Sequence, residues 1–278
     1  MKFKKILATM MATVAAVATF GFAGCGGSKG SDKEKLYVYT NAGFAPYEYL
    51  SDRGEVVGVD IDIMNYIGEE LGYDVVVNDI DFDQILLEVE KDKMAVGAAG
   101  MTKKPDRDDV ALASISYATS VQYVIVPVGT FDAEDLTDGK LSLSKLNELS
   151  NTTIGVQEGT TGEFMLDDAT VAADEEAGTP AGELFGAEKI TYKNAIVASH
   201  DIGTTLGAVI IDKLPAQEIS AADSDLECFE LDAEPESYVL YFNKEATELV
   251  AQVNVILAQM IADGTIDQYT INHSSGSN

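Results

Sequence analysis

Residues 97–107, with the sequence Gly-Ala-Ala-Gly-Met-Thr-Lys-Lys-Pro-Asp-Arg, combine bare backbone with a single guanidinium group. The small residues at the start allow peptide N–H and C=O groups to approach a bound molecule closely. Pro105 suits the first position of a helix, and the acidic residues around it complement the positive helix N-terminus. Arg107 then lies one turn into that helix, where free N–H groups and the guanidinium can both face a carboxylate. The stretch therefore predicts an anion-binding loop, with a solvated surface arginine as the alternative.

Hydrophobic periodicity puts this stretch after the third strand of an alternating series of strands and helices. Apolar and polar residues alternate at 36–40, whereas the apolar residues after Asp60 recur at helical spacing as far as Gly72. Asp60 is a predicted helix cap and Gly72 a predicted helix stop. The predicted order is a strand at 36–40, a helix at 60–71, a strand at 73–77, a helix at 82–90 and a strand at 94–99. This order indicates a parallel sheet with right-handed crossovers.

The rest of the chain repeats this arrangement more loosely. Further strands are predicted at 153–157, 189–193 and 206–211, with helices after Gly162 and at 194–205. The β-rich segments 121–126 and 238–242 are predicted to cross between two lobes, and an amphipathic helix at 245–263, ended by Gly264, should return to the first. We therefore expect lobe I at 36–120 and 243–272, lobe II at 121–242, a surface insertion at 174–182 and a disordered tail at 273–278.

Ligands of open α/β sheets bind beyond the carboxyl ends of the strands. In lobe I, this rule brings three loops to one edge: the loop at 41–44, the turn at 81–82 and the stretch at 100–107. In lobe II, one predicted strand is followed by Glu-Gly-Thr-Thr-Gly at 158–162 and another ends on Asp212. A ligand site is therefore predicted where these loops converge.

The first 25 residues have the composition of a secretory leader. Three lysines and no acid accompany an apolar stretch at 6–23, and Gly24-Cys25 follows. The end of this stretch resembles a lipobox, where bacterial lipoproteins are cleaved before a lipid-bearing cysteine, with Phe22 in place of the usual leucine. We expect a lipoprotein signal peptide at 1–25, lipidation of Cys25 that includes palmitate, and a flexible tether at 26–35. The alternative is an uncleaved membrane helix, but threonines and glycines interrupt the stretch.

Charge and composition exclude several classes of partner and site. The net charge of −29 disfavours nucleic acid and anionic lipid surfaces, because both are negatively charged. Once Cys25 carries a lipid, only Cys228 remains, and its apolar surroundings predict a buried structural thiol. His200 and His273 are the only histidines and neither has a partner at ligand spacing, so no metal site is expected. The sequence has no Gly-x-Ser-x-Gly motif, P-loop or dinucleotide fingerprint, and no cofactor is expected.

Five segments of the chain together carry a family resemblance. They are Phe44-Ala45-Pro46-Tyr47-Glu48-Tyr49, Gly-Glu-Val-Val-Gly-Val-Asp-Ile-Asp at 54–62, Ala99-Gly100-Met101-Thr102 with Pro105-Asp106-Arg107, Gly-Val-Gln-Glu-Gly-Thr-Thr-Gly-Glu at 155–163, and the strand that ends at Asp212. In this order, they resemble the family 3 extracellular solute-binding proteins, the polar amino-acid receptors of ABC importers. The resemblance implies an α/β fold of the two-lobed periplasmic-binding-protein type. Each lobe would be a mainly parallel sheet flanked by helices, with the ligand in the cleft between the lobes.

The resemblance also implies the ligand-binding residues. They are Asn41, Phe44, Phe82, Gly100, Thr102, Arg107, Thr160, Thr161 and Asp212. Arg107 would offer its planar fork to the α-carboxylate of an amino acid, and Thr160 and Thr161 would close on that carboxylate from lobe II. Asp212 would receive the α-ammonium group. From the residues alone, Asp212 as a cap of the next helix remains the alternative.

The same resemblance assigns the remaining positions. Phe44 and Phe82 would flank the ligand side chain, with a place in the core as the alternative for these aromatic residues. Gly100 would offer backbone groups, and Thr102 its hydroxyl and amide. Asn41 occupies a position that is often acidic in receptors for cationic amino acids, which does not favour arginine or lysine as the ligand.

In function, the resemblance implies a monomeric receptor, tethered by lipid to the bacterial membrane at the cell surface or in the periplasm, that hands an amino acid to an ABC permease. Lys104 departs from the pattern, because it replaces a threonine helix cap.

The alternative to a receptor is an enzyme of the same scaffold that resembles cyclohexadienyl dehydratases. Such an enzyme needs a positioned acid or base, for which Glu48 and Glu158 are the candidates, since the predicted cleft loops contain no histidine.

Overall fold

The computed structural model describes residues 33–170, 182–184 and 186–274, and the chain from Lys33 onward forms one compact unit. The predicted signal peptide with Cys25 and most of the predicted tether lie outside the described residues. The predicted insertion at 174–182 also lies outside them, apart from Gly182.

Strands and helices alternate along the described chain, as the hydrophobic periodicity predicts. The strands are β1 (Lys35–Thr40), β2 (Tyr49–Leu50), β3 (Val56–Val57), β4 (Asp74–Asp79), β5 (Ala95–Gly97), β6 (Ala111–Ala113), β7 (Ala118–Ser120), β8 (Gln122–Pro127), β9 (Thr153–Gln157), β10 (Glu188–Tyr192), β11 (Ala208–Asp212), β12 (Leu226–Glu230), β13 (Glu236–Tyr238) and β14 (Tyr241–Asn243). The helices are α1 (Val59–Leu71), α2 (Ile85–Val89), α3 (Pro105–Val110), α4 (Thr161–Thr170), α5 (Ala195–Ser199), α6 (Lys213–Ala222), α7 (Thr247–Ala262) and α8 (Thr265–His273).

The larger strands form two five-stranded sheets, which define two lobes. We call the sheet of order β4-β1-β5-β14-β6 and its helices lobe I, and the sheet of order β10-β9-β11-β8-β12 and its helices lobe II. Three neighbouring strands in each sheet run parallel: β4, β1 and β5 in lobe I, and β10, β9 and β11 in lobe II. The other pairs are antiparallel, so the sheets are less parallel than expected. The reason is that β8 and β14 enter each sheet from the opposite direction, directly after the chain crosses from the other lobe.

The two crossings lie one strand earlier than predicted. Residues 121–126 and 238–242 were expected to cross, but β8 belongs to the sheet of lobe II and β14 to the sheet of lobe I. The crossing strands are instead β7 and β13, which form an antiparallel pair from Glu236 opposite Ser120 to Tyr238 opposite Ala118. The predicted end of lobe II at 242 is accordingly too late, because Tyr241 and Phe242 pair with β5.

Each sheet buries its apolar faces under helices. Ile63, Met64 and Ile67 of α1 are fully buried in the core of lobe I, where the helical spacing predicted them. Two predicted helices are shorter or more irregular than expected. The helix at 82–90 begins with a 3-10 turn at Phe82–Gln84, and the helix at 194–205 is reduced to α5, whose N-terminus the Asn194 side chain caps.

The C-terminal helices pack on lobe I. After α7, Gly264 adopts a left-handed conformation with φ 79° and the chain continues into α8. His273, predicted as the start of a disordered tail, is the last residue of α8, and it contacts Asp62 at 2.9 Å and the Tyr49 hydroxyl at 3.0 Å. In the part of the chain that the structure describes, no single helix is long and apolar enough to cross a membrane; α7 and α8 reach that length only together, across a bend of 73°.

Candidate functional site

A cavity lies between the lobes at the carboxyl ends of the parallel strands, and the space in it, including the part open to solvent, is about 330 Å³. Its lining consists of Asn41, Phe44, Glu48, Phe82, Ala99, Gly100, Thr102, Arg107, Gln157, Thr160, Thr161 and Asp212. All nine residues singled out in the sequence are in this set, and Glu48, Ala99 and Gln157 are additional. The fold thus brings together side chains from loops that follow β1, β4, β5, β9 and β11.

Arg107 is buried at the junction of the two lobes, with 5% of its surface exposed. Its Nη1 donates to the Thr102 carbonyl at 2.9 Å, and its Nη2 donates across the cleft to the Gly159 carbonyl at 2.9 Å. The guanidinium also lies 5.3 Å from the centre of the Phe82 ring. Burial lowers the pKa of Arg107, but a guanidinium stays charged in proteins. Two of its five N–H groups are thus committed to carbonyls, and the others are available to an anion in the cavity.

Gly100 contributes an acceptor to the cavity. Its φ is +53°, and a Cβ atom at this position would lie 2.6 Å from the Phe44 ring, so only glycine fits. The Gly100 N–H donates to Asp60 Oδ2 at 2.9 Å and is therefore not available to a ligand. The Gly100 carbonyl oxygen is the backbone group that remains for a ligand.

The role of Asp60 differs from the predicted helix cap. Helix α1 begins after Gly58, and Asp60 is fully buried within its first turn. Besides Gly100, its carboxylate accepts the Tyr117 hydroxyl at 2.7 and 2.8 Å. Burial raises the pKa of Asp60 to about 6, against the lowering effect of these hydrogen bonds. Asp60 thus ties the loop after β5 to the residue that precedes the first crossing strand.

Asp212 lies at the end of β11, on the lobe II side of the cavity. It occupies the N-cap position of α6, yet its side chain makes no capping hydrogen bond. The carboxylate instead accepts the Tyr238 hydroxyl at 2.5 Å. Burial and the neighbouring Glu236 raise the pKa of Asp212 to about 7. This carboxyl group can therefore take or release a proton near neutral pH when a cation approaches it.

Glu48 is the main site residue that was not predicted as a ligand contact. Backbone hydrogen bonds between Phe44 and Glu48 form a tight turn that puts the glutamate beside Phe44. Glu48 is 1% exposed, and its Oε2 has no hydrogen-bond partner among the described residues. Burial, reinforced by Asp60, Asp212 and Asp79, raises the pKa of Glu48 well above its ordinary value. A buried acid without a partner has a strong tendency to bind a donor or a cation.

The aromatic residues belong both to the core and to the site. Phe44 is 8% exposed and packs in the core of lobe I, while Phe82 packs against a neighbouring apolar cluster. Both rings also line the cavity. Each of the two rings is therefore both a core residue and a lining residue. A ring at the edge of a core packs with one face inward and presents its other face to a ligand.

Polar side chains join the lobes around the cavity. Gln157 Nε2 donates to Asn41 Oδ1 at 2.8 Å, and Asn41 Nδ2 donates to the Ile80 carbonyl at 2.7 Å. Thr161, the first residue of α4, donates its hydroxyl proton to the Thr102 hydroxyl oxygen at 3.3 Å. Asn41 is thus held by an amide from the opposite lobe. The sequence places Gln157 in the segment at 155–163 but does not identify it as a lining residue, because its position at the cavity depends on the packing of both lobes.

Glu158, the second candidate acid, does not line the cavity. Its carboxylate pairs with Lys193 at 2.7 Å, and Lys193 also reaches Asp83 of lobe I at 3.0 Å. Lys104 makes no side-chain cap for α3, as expected from its type, and its Nζ lies 3.9 Å from the centre of the Phe164 ring of lobe II. Among the described residues, no group of three or more His, Cys, Asp or Glu side chains is arranged to hold a metal ion.

Known proteins share both the sequence pattern and the fold of this chain. The arginine-binding extracellular protein ArtP of Bacillus subtilis (strain 168) is 24% identical over 267 residues, which cover 93% of this chain and 94% of ArtP. An ancestral arginine-binding protein solved with arginine has a TM-score of 0.70 and 26% identity, covering 85% of this chain and 96% of its own. An ancestral arginine-binding protein solved with glutamine has a TM-score of 0.71 and 25% identity, covering 87% and 98%.

The sequence pattern of one family extends over almost all of the described chain. Residues 36–273 match the bacterial extracellular solute-binding proteins, family 3. The matched span contains all five segments that carried the resemblance in the sequence. The chain therefore belongs to the bacterial extracellular solute-binding proteins of family 3.

Proposed function

We propose that this protein is the extracytoplasmic receptor of an ABC importer, which binds an amino acid between its lobes and delivers it to a membrane permease. The observation that carries the proposal is the pairing of opposite charges in one cavity, with Arg107 from lobe I and Asp212 from lobe II. The zwitterion of an amino acid has the complementary charges. Arg107 and the N-terminal turn of α4 receive its α-carboxylate. Asp212 and the Gly100 carbonyl receive its α-ammonium group.

The charges of the lining favour a second positive charge on the ligand. The cavity contains two acids, Asp212 and Glu48, against the single cation Arg107, so with an amino acid of neutral side chain one acid either stays protonated or lacks a counter-charge. Glu48 lies beside Phe44, where the side chain of the ligand would extend between the two aromatic rings. A guanidinium or ammonium group there would supply the partner that Glu48 Oε2 lacks. We therefore propose a cationic amino acid, with Glu48 in the role that Asn41 does not fill.

The names of the relatives agree with this ligand class. ArtP is named as an arginine-binding protein, and a protein of Neisseria gonorrhoeae that is 26% identical over 215 residues is named as a probable histidine-binding protein. An ancestral relative was solved with glutamine, so a neutral amino acid is the closest competitor.

A calorimetric screen of purified, ligand-free protein tests the proposal. L-Arginine, L-lysine, L-histidine and L-glutamine are titrated in turn, and we expect one-to-one binding that is tightest for a cationic member. Absence of saturable binding for every amino acid would overturn the proposal. Prephenate is included because Glu48 could also act as a general acid on the same scaffold. We expect no turnover of prephenate, and its conversion would make the protein an enzyme instead.

Binding should weaken as the pH falls through neutrality. Asp212 has a pKa raised to about 7, so it is protonated below that pH and cannot pair with an ammonium group. The raised pKa of Glu48 acts in the same direction. We expect affinity for L-arginine to be greatest above the pKa of these acids and below that of the ligand's own α-ammonium group, and to fall by up to about tenfold per pH unit below the pKa of each acid. Calorimetry across about pH 5 to 9 measures the profile, and Asp212→Asn should lose the step near neutrality. A flat wild-type profile would contradict the ammonium role of Asp212.

Ligand binding should close the two lobes about β7 and β13. Arg107, Gln157 and Thr161 form contacts across the cleft in the structure, and a ligand that touches both lobes binds this closed form better than an open one. Small-angle scattering should therefore show a smaller radius of gyration with saturating ligand. A scattering curve that does not change at saturation would refute the hinge.

The N-terminus should carry the membrane anchor. We propose that the mature chain begins at Cys25 and that this cysteine is lipidated, because a charged start and an apolar stretch lead to Ala23-Gly24-Cys25. One acyl chain binds a membrane only reversibly, so at least two are expected. Mass spectrometry of protein purified from a bacterial membrane fraction should identify an acylated Cys25. An unmodified Cys25, or cleavage elsewhere, would contradict the prediction.

A further inference from the structure

A further buried acid, Glu236, lies close to the cavity but is not part of its lining. It occupies the first position of the crossing strand β13 and is 8% exposed. Its Oε2 accepts the Thr102 hydroxyl at 2.5 Å, and its Oε1 accepts Gln122 Nε2 at 2.7 Å. Thr102 belongs to the ligand-binding loop of lobe I, and Gln122 to the first strand of lobe II. One carboxylate on the hinge therefore holds a side chain from each lobe.

We propose that Glu236 is a positioning residue for the ammonium end of the ligand, since it directs the Thr102 hydroxyl and controls the charge of Asp212. A carboxylate can only accept hydrogen bonds, so the hydroxyl proton of Thr102 is committed to Glu236. The Thr102 oxygen accepts the Thr161 hydroxyl at 3.3 Å with one of its two lone pairs. The other lone pair is left as an acceptor, which suits an ammonium group and not a carboxylate.

The charge of Glu236 acts on Asp212 through a short path. Gln122, which Glu236 holds, is the direct partner of Asp212 across the antiparallel pair of β8 and β11. Among the charged neighbours of Asp212, Glu236 has the largest effect on its pKa and raises it. The ionisable or polar groups that face Asp212 are Glu236 and Tyr238 of β13, Ser120 and Gln122, Tyr47 and Glu48 of the loop after β1, and Arg107 of α3. Glu48 also opposes ionisation of Asp212, whereas Arg107 favours it.

The inference rests on the proposed function, and two variants separate its parts. Glu236→Met keeps the length of the side chain but removes both the charge and the acceptor for Thr102. Glu236→Gln removes the charge and keeps a polar group. Glu234→Gln is the matched control, because Glu234 is exposed two residues earlier in the same segment. Each protein is titrated with L-arginine from acid to alkaline pH, and its thermal unfolding is recorded without ligand.

We expect Glu236→Met to bind L-arginine about tenfold more weakly than wild type at alkaline pH, because the Thr102 hydroxyl is no longer held as an acceptor. Alkaline pH is used for this comparison because Asp212 is then ionised in every variant. In both Glu236 variants, the neutral-pH step in affinity should move to lower pH, because a negative neighbour of Asp212 is lost. Glu234→Gln should match wild type in both measurements. A purely structural role for Glu236 would lower thermal stability but leave the step at its wild-type pH.

Two results would overturn the inference while leaving the receptor function intact. The first is a folded Glu236→Met protein that binds within about threefold of wild type at alkaline pH. The second is a Glu236→Gln protein in which the change of L-arginine affinity near neutral pH occurs at the same pH as in wild type. This second measurement tests the inference even if Glu236→Met does not fold. By contrast, wild-type protein that binds no amino acid would overturn the proposed function itself.

Discussion

Arg107→Ala should weaken binding of the preferred amino acid by about 30- to 3,000-fold. The guanidinium is buried, charged and already oriented by the Thr102 and Gly159 carbonyls, so the α-carboxylate meets a prearranged fork. Leaving a buried carboxylate without its partner costs about 2 to 5 kcal/mol, and each factor of ten in affinity corresponds to about 1.4 kcal/mol.

Arg107→Lys should give an intermediate affinity, because it keeps the positive charge but loses the planar pair of donors. The only other arginine of the chain supplies the control, since Arg53 is exposed and Arg53→Ala should bind as wild type does. Titration calorimetry on folded proteins measures all three. If Arg107→Ala binds within about threefold of wild type, the anion-binding role of the stretch at 97–107 is wrong.

Glu48→Gln should change which amino acid binds best. A hydrogen bond to a charged group contributes about 1.5 to 3 kcal/mol, so L-arginine should lose about 10- to 100-fold in affinity. L-Glutamine should keep or gain affinity, because an uncharged amide at position 48 no longer demands a positive partner. The ratio of the two affinities is therefore the decisive quantity.

Proton release gives an independent check of this role. Since the pKa of Glu48 is raised well above its ordinary value, an arriving guanidinium should displace a proton from it. Calorimetry in two buffers of different ionisation enthalpy counts the protons released, and Glu48→Gln should release fewer than wild type. Glu55→Gln, at an exposed glutamate seven residues further along the chain, is the control. An unchanged ratio of arginine to glutamine affinity in Glu48→Gln would refute a side-chain role for Glu48.

The strength of these effects follows from how the cavity is enclosed. Contacts across the cleft, such as Lys193 with Asp83 at 3.0 Å and Gln157 with Asn41 at 2.8 Å, hold the lobes together around the cavity. Arg107, Asp212 and Glu48 are buried there, and interactions between buried charges are stronger than those at the surface. Surface ion pairs of the same residue types contribute only about 0 to 1 kcal/mol. Substitutions at Lys193 should accordingly matter much less than those at Arg107 or Glu48.

The amino-acid sequence by itself determined the local structure and the family pattern. Alternation at 36–40, helical spacing in α1 and the proline at the start of α3 are properties of neighbouring residues, so periodicity was sufficient to predict them. The motifs implied nine lining residues, and all nine meet in one cavity. Their roles toward a ligand remain predictions, because only a bound amino acid tests them.

Only the tertiary structure decided which polar groups are left for a ligand. Asp60 has the type and position of a helix cap, yet it bonds Gly100, 40 residues away, and so leaves the carbonyl of that residue free. Thr102 is oriented by Glu236, 134 residues away on a crossing strand that periodicity misplaced by a few residues. Glu48 became a site residue because the turn after β1 buries it without a partner. The physical reason is the same in each case: hydrogen bonding and desolvation of a buried polar group depend on residues distant in the chain, and local sequence pattern carries no information about them.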